Sequence, residues 1–462
     1  MAEPFFNPHT IAVIGATEDP SKFGNAVTIN LLNVHDLKAK VIPVSKTAYA
    51  IYGLQAYSTI TEIPEKIDLA IILVPAKAVP SIVDECIEKK VPSIIIVTAG
   101  FGEINEEGRK IEQLMEQKCK ASNIRVIGPN CVGIQNTDID MNASFIQTPI
   151  QGEVGIISQS GSFGSAIIDG MRWNDVGVSK FANIGNAMDI SFDEILTYYN
   201  KDPQTKAIAI YLENITDGHG RAFYNELREI SPNKPVVVIK GGRTDAGMAA
   251  ARSHTGSLAS NYRILKTAIE QAGGVVCERI DDYITAIKTF TMLPLPRGDK
   301  IGVLTNSGGT GVLFSDNADE FGLKLSPFSP WLIEKITPHV IPLVQKINPL
   351  DMIAGANEET YYQITKAMLE EESGIDIVVG CGVNPPFLGM KFEDHFRGMV
   401  RAWDETGRVK PLIPLIVFGD GYKEISDYAH QSKTPFFSTP YDAAYAVKLL
   451  IDRYRFLSRL LD

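Results

Sequence analysis

A histidine set among small residues is the feature of this chain that most invites chemistry. His254 stands in Ala249-Ala250-Ala251-Arg252-Ser253-His254-Thr255-Gly256-Ser257, downstream of the apolar run VVVIK and of Lys240-Gly241-Gly242-Arg243. Small neighbours let a bulky group reach an imidazole, which suits a nucleophile better than a core residue. Sequence alone also allows an inert loop histidine. No HxxxH spacing surrounds it, so zinc is disfavoured and no metal site is expected. The other histidines (His9, His35, His219, His339, His395 and His430) have no such setting and read as surface or capping residues. Glu213 ends the run AIAIYLE, where α/β folds place functional groups. A carboxylate bonded to one ring nitrogen would fix the tautomer and free the other to attack phosphorus. A solvated strand-end glutamate would look the same. Gly241, Gly242, Gly247 and Gly256 suit a loop that moves.

Three loops could hold anions. Gly15-Ala16-Thr17 follows an apolar run and precedes Lys22 and Gly24. This is not a strict GxGxxG, but small residues still let the backbone approach a phosphate beside free helix N–H groups. Lys46 stands at the end of VIPVSK, where an NAD-binding domain wants a carboxylate for the ribose. That disfavours a dehydrogenase and suits a phosphorylated ligand. Ser158-Gln159-Ser160-Gly161-Ser162 and Asn306-Ser307-Gly308-Gly309-Thr310-Gly311 are two more strand-to-helix turns rich in glycine and hydroxyls. Either one alone could be an ordinary tight turn. Two helix N-termini aimed at one point would hold a dianion with little net positive charge.

These loops need elements to position them. Apolar β-rich runs at 11–15, 69–74, 93–98, 154–158, 207–212, 236–239, 301–305, 375–380 and 412–418 read as strands buried on both faces of parallel sheets. Helical patterns lie between them at 79–89, 108–121, 193–200, 260–272 and 441–457. The alternation predicts doubly wound α/β domains. A weak internal repeat (IAVIGATEDPSKFG, VGIISQSGSFG, IGVLTNSGGTG) suggests three units. The expected divisions are 1–146, 147–295 and 296–462. The first is a Rossmann-like domain, and the other two are flavodoxin-like.

The bulk properties narrow the function classes. The chain has 462 residues, 45% of them hydrophobic, and a formal net charge of −11. That balance argues against a general nucleic-acid partner. No apolar run is long enough for a transmembrane helix, and the N-terminus lacks a secretory signal. Five widely spaced cysteines without a CxxC read as reduced thiols, so a cytoplasmic protein is expected. Trp331, Tyr361 and Tyr362 read as packing residues.

As a set, IGPNCVG, VGIISQSGS, KDPQTKAI and KPVVVIKGG…SHTGSLA resemble the nucleoside-diphosphate-forming acyl-CoA synthetases, which include succinyl-CoA synthetase. The likeness covers residues 5 to about 290 and matches the alpha subunit of that enzyme. The third unit resembles the CoA-ligase domain of the family's beta subunit. This fusion looks like the alpha subunits of ADP-forming acetyl-CoA synthetases (acetate–CoA ligases).

The resemblance implies roles. His254 would be the phosphorylated histidine and Glu213 its support. Ser160, Gly161 and Ser162 would begin one phosphate-binding helix, and Ser307, Gly308, Gly309 and Thr310 the second. Gly15, Ala16, Thr17, Lys22, Gly24, Lys46, Pro75, Thr98 and Ala99 fall on CoA-binding positions. Asn130 would lie near the thioester, and Gly185, Asn186 and Asp189 near the acyl group. Members specific for succinate carry an arginine where Gln159 stands and a tyrosine where Ser165 stands, which implies a smaller or apolar acid here. No ATP-grasp domain follows residue 290. The resemblance therefore implies an ATP-grasp beta subunit, an α2β2 heterotetramer, and Mg2+ with ADP or ATP on that partner. Coenzyme A and phosphate would be substrates. A CoA-binding scaffold without chemistry is the alternative from another class.

Overall fold

The structure is a computed structural model, and it describes residues 2–33, 37–216, 218–249, 261–353, 355–383, 391–417, 419 and 421–460. The chain divides into two compact units, Met1–Tyr283 and Ile284–Asp462.

The first unit holds two sheets. Strands β1 (Thr10–Ile14), β2 (Lys40–Val44), β3 (Leu69–Ile72), β4 (Ser93–Ile96) and β5 (Arg125–Ile127) form a parallel sheet in the order β2-β1-β3-β4-β5. Every residue of β3 and β4 is buried, which explains their uninterrupted apolar runs. The order reverses between β1 and β3, and such a switch point opens a crevice beyond the strands' carboxyl ends. Helices α1 (Phe23–Leu32), α2 (Val79–Glu88) and α3 (Glu106–Ala121) follow β1, β3 and β4.

The second sheet adds β6 (Gly133–Asn136), β7 (Met141–Ser144), β8 (Gln151–Ser158), β9 (Val178–Asn183), β10 (Ala207–Leu212), β11 (Val236–Lys240) and β12 (Val275–Cys277). Its order is β12-β11-β10-β8-β9-β6-β7, parallel except for the antiparallel edge made by β6 and β7. Helices α4 (Gly161–Trp173), α5 (Phe192–Lys201), α6 (Gly220–Ile230) and α7 (Tyr262–Gln271) follow β8, β9, β10 and β11.

The expected division at 146 falls after β6 and β7, which belong to the second sheet. Their sequences, GIQN and MNAS, look like loop. Buried polar groups pair with one another there: Gln135 Nε2 donates to Asn142 Oδ1 (3.1 Å) and Ser144 Oγ (2.9 Å). β9 is equally hidden from hydropathy. It carries Lys180, buried at 2% exposure, whose Nζ lies 2.7 Å from Asp202 Oδ2.

The second unit is a four-stranded parallel sheet of β13 (Ile301–Thr305), β14 (Leu350–Asp351), β15 (Ile377–Gly382) and β16 (Leu412–Ile416), in the order β14-β13-β15-β16. Helix α8 (Gly308–Glu320) follows β13. Tyr361 and Tyr362 pack into the fold, and Trp331 is partly buried against the core. His395, read from the sequence as a surface or capping residue, is fully buried. Its Nε2 lies 3.1 Å from the Ala356 carbonyl oxygen and its ring lies against Tyr361. Burial and this contact place it in the core of the unit, and desolvation lowers its pKa.

Candidate functional site

The crevice at the β1/β3 switch point opens into a cavity of about 950 Å³. Its walls come from the carboxyl ends of strands in both sheets of the first unit. Gly15, Ala16 and Thr17 follow β1, Lys46 follows β2, Pro75 follows β3, and Thr98 and Ala99 follow β4. Lys22 and Gly24 line it at the start of α1. A Cβ on Gly24 would collide with the Gly15 carbonyl oxygen, so only glycine lets the helix start sit this close to the β1 loop. Lys22 and Lys46 supply positive charge, and the α1 N-terminus supplies free N–H groups.

The second sheet contributes Ser160, Gly161 and Ser162, which begin α4 and line the same cavity. Ser160 Oγ caps the helix by accepting from the Phe163 N–H (3.3 Å). Ser158 Oγ donates to the Ser160 carbonyl (2.6 Å) and steadies the turn. Asn183, at the end of β9, donates from Nδ2 to the Ser158 carbonyl and accepts at Oδ1 from the Val132 N–H, both at 2.7 Å. It therefore joins the α4 turn to the segment carrying Asn130, which also lines the cavity.

Glu213 sits just outside this wall and is 7% exposed. Its Oε1 accepts from Tyr211 Oη (3.1 Å), and its main-chain carbonyl accepts from Lys240 Nζ (2.7 Å). Its Oε2 is buried with no hydrogen-bond partner among the described residues. Burial raises the Tyr211 phenol, and the adjacent Glu213 carboxylate raises it further. Burial lowers the Lys240 ammonium. Gln159 connects the backbone at Glu213 to the cavity. Its Oε1 accepts from the main-chain N–H groups of Glu213 (2.6 Å) and Asn214 (3.0 Å), while the residue itself lines the cavity. His254 lies outside the described residues.

The residues expected near an acyl group behave differently. Gly185, Asn186 and Asp189 do not line the cavity. Asp189 is held by Arg125: Nε donates to its Oδ2 (2.9 Å) and Nη2 to its Oδ1 (3.2 Å). The Val126 N–H adds a third bond at 2.8 Å. With its side chain 3% exposed, Asp189 is a buried fastening between β5 and the loop after β9. Gly185 has φ +55°, and a Cβ there would collide with the Pro129 and Asn130 carbonyls. Among the described residues, Asn186 is linked to the cavity through Asn130, whose Nδ2 donates to Asn186 Oδ1 (3.2 Å).

In the second unit, Ser307, Gly308, Gly309 and Thr310 form the β13–α8 turn. Thr310 Oγ1 donates to Ser307 Oγ (3.2 Å), and Thr305 Oγ1 donates to the Ser307 carbonyl (3.0 Å). Among the described residues no group of three His, Cys, Asp or Glu side chains could hold a metal ion. No helix among them is long and apolar enough to cross a membrane.

Sequence reasoning missed two aromatic residues of the cavity wall. Phe23 is 62% exposed, yet it stacks on Phe145 with ring centroids 4.4 Å apart. A phenylalanine directly before Gly24 at the helix start was the available signal.

A fold of this kind, with strand-end loops and helix N-termini walling one cavity, defines a binder of phosphorylated ligands. Family models match a CoA binding domain at 9–137, a succinyl-CoA ligase like flavodoxin domain at 151–290 and a ligase-CoA domain at 301–460. The chain is 39% identical to the acetate–CoA ligase [ADP-forming] II subunit alpha of Pyrococcus furiosus, across 98% of both chains. It is 31% identical to the 4-hydroxybutyrate–CoA ligase [ADP-forming] of Nitrosopumilus maritimus, covering 82% of this chain and 54% of that one. A solved structure of the Ca. Korarchaeum cryptofilum dinucleotide forming acetyl-coenzyme A synthetase 1, in complex with phosphate and ADP, matches with TM-score 0.94. The identity is 32%, and the match covers 100% of this chain and 99% of that one. The chain belongs to the alpha subunits of the ADP-forming acetate–CoA ligases.

Proposed function

We propose that this chain binds acyl-CoA in the 950 Å³ cavity and carries a phosphoryl group on His254, as the alpha subunit of an ADP-forming acyl-CoA ligase acting on a small acid such as acetate. One observation carries the reading: the CoA-type loops of the first sheet and the α4 N-terminus of the second share a single cavity.

The reaction runs in three transfers. A phosphate oxygen attacks the thioester carbonyl. The C–S bond breaks, CoA leaves as its thiol, and acyl phosphate forms. The α4 N-terminus stabilises the phosphate, and positioning supplies much of the rate. The imidazole of His254 then attacks phosphorus, the acid leaves as carboxylate, and phosphohistidine forms. The phosphoryl group finally passes from phosphohistidine to ADP on an ATP-grasp partner subunit, which restores the neutral imidazole; Mg2+ held there with ADP would offset charge on the phosphates. Glu213 Oε2 is the acceptor that would hold the other ring N–H. Ser307, Gly308, Gly309 and Thr310 would form a second phosphate cradle in the second unit. Gln159 supports a small acyl group, because its amide is taken up by Glu213 and Asn214 and offers no cation to a second carboxylate. The five free, buried cysteines support a reducing compartment such as the cytoplasm.

The test is covalent labelling. Incubation with acetyl-CoA and labelled phosphate, or with labelled ATP and the ATP-grasp partner, should give an acid-labile, alkali-stable label that His254→Ala removes. CoA binding without any such label would make the chain a CoA-binding scaffold and end the enzymatic reading. Purification should also recover the partner in an α2β2 assembly.

A further inference from the structure

Asn130 lines the cavity, and its amide has two ends that look alike in shape and differ in chemistry. Something must decide which end faces the ligand. Asn130 Nδ2 donates to Asn186 Oδ1 at 3.2 Å. Asn186 Nδ2 in turn donates to two carboxylates, Glu103 Oε2 at 2.7 Å and Glu112 Oε2 at 3.0 Å. An ionised carboxylate can only accept a hydrogen bond. Two of them therefore pin the NH2 end of Asn186 and turn its oxygen towards Asn130. That oxygen can only accept, so the NH2 end of Asn130 is pinned in the same way. The polarity of the chain is dictated from its acidic end.

The backbone makes the relay rigid. Asn130 has a left-handed φ of +58°, and its N–H donates to the Thr98 carbonyl (3.0 Å). The Asn186 N–H donates to the Pro129 carbonyl (2.9 Å). Glu103 Oε1 accepts from the Gly100 N–H (2.5 Å), and Glu112 Oε2 also accepts from the Gly102 N–H (3.1 Å). The acids are thus fastened to the loop that carries Thr98 and Ala99, two cavity residues. Burial pushes the Glu112 carboxyl up, aided by Glu103, whereas Arg109 pulls it down. Burial would raise Glu103 too, but hydrogen bonds from Asn186 and from Gly100 outweigh it and leave it lowered. Bringing two carboxylates to one amide nitrogen is costly, because burial and their mutual repulsion both disfavour the charged forms.

We propose that Glu103 and Glu112, acting through Asn186, are positioning residues that fix the amide polarity of Asn130 towards the thioester. The inference rests on the acyl-CoA reading above and adds to it a control of orientation that lies outside the cavity. It predicts that the pair serves catalysis and not ligand affinity.

The test uses the full chain with its ATP-grasp partner. Thiol release from acetyl-CoA in phosphate and ADP gives kcat, and calorimetry with CoA gives Kd. The double variant E103Q/E112Q keeps shape and acceptor oxygens but lets both amides turn, and N186A removes the link. Both should lower kcat about ten- to a hundred-fold, the scale of misplacing a catalytic group, while the CoA Kd stays within about twofold. Should the double variant not fold, N186A decides, because it removes no backbone cap. Unchanged kcat would overturn the proposal, as would a Kd that weakens in step with kcat, which is the mark of a merely structural loop. A wild-type protein that neither binds CoA nor cleaves acetyl-CoA would overturn the acyl-CoA reading itself. An active wild type with unaffected variants overturns the relay alone.

Discussion

Glu213 Oε2 is buried and has no hydrogen-bond partner among the described residues. A buried acceptor without a partner costs about 1–3 kcal/mol, which a ring N–H of His254 would offset in the proposed cycle. Glu213→Gln keeps the shape and removes the charge that would favour an imidazole N–H. It should leave CoA affinity unchanged and cut phosphohistidine formation by about a hundredfold or more, read by alkali-stable label after a rapid quench. Lys180 and Asp202 make the opposite kind of charged contact, fully paired. Thr205 Oγ1 adds a bond of 2.6 Å to the same Asp202 oxygen. Burial alone would raise the Asp202 carboxyl, but Lys180 and Thr205 outweigh it and hold it low. A carboxyl lowered by folding contributes stability above its unfolded value and loses it as pH falls through the folded one. Lys180→Met should therefore destabilise the protein by about 3–5 kcal/mol at neutral pH. The difference from wild type should shrink below the ordinary carboxylate range as Asp202 takes up a proton. Denaturant melts at pH 7 and in acid would check both.

The α4 start shows what an element contributes beyond its residues. The Ser160 cap both ends the β8 turn and aims helix N–H groups into the cavity. Ser160→Ala should cost about 1 kcal/mol of stability, measured by thermal melting, and should weaken phosphate binding by calorimetry. The strand-to-helix turns were readable from sequence because glycines and hydroxyls after apolar runs have few other uses. The expected strands over 69–74, 93–98 and 207–212 appear as β3, β4 and β10, since a strand buried on both faces writes an unbroken apolar run. Strands β6, β7 and β9 were not readable. Their buried polar side chains satisfy one another across the sheet, and hydropathy does not register such pairing. The same blindness hid the Asn186 relay, whose members lie 83, 74 and 56 positions apart in chain order. Asp189, placed near the acyl group by the resemblance, has its carboxylate held by Arg125.

At the scale of the whole molecule, the described residues that wall the cavity fall in the first unit. They run from Ile14 to Asn183, inside Met1–Tyr283. The second unit has its own sheet and its own core, running from Leu293 to Ile451. A fragment ending at Tyr283 should then keep the walls of the CoA site. Its affinity for CoA should lie within about threefold of the full chain, since binding free energy depends on contacts that the cut leaves in place. Turnover should fall to background, because the fragment lacks the Ser307–Thr310 turn proposed as the second phosphate cradle. Calorimetry with CoA and thiol release in the presence of the ATP-grasp partner separate the two effects. A fragment that folds by circular dichroism yet binds CoA far more weakly would show that the second unit shapes the cavity. A fragment that still turns over would remove the β13–α8 turn from the phosphoryl path.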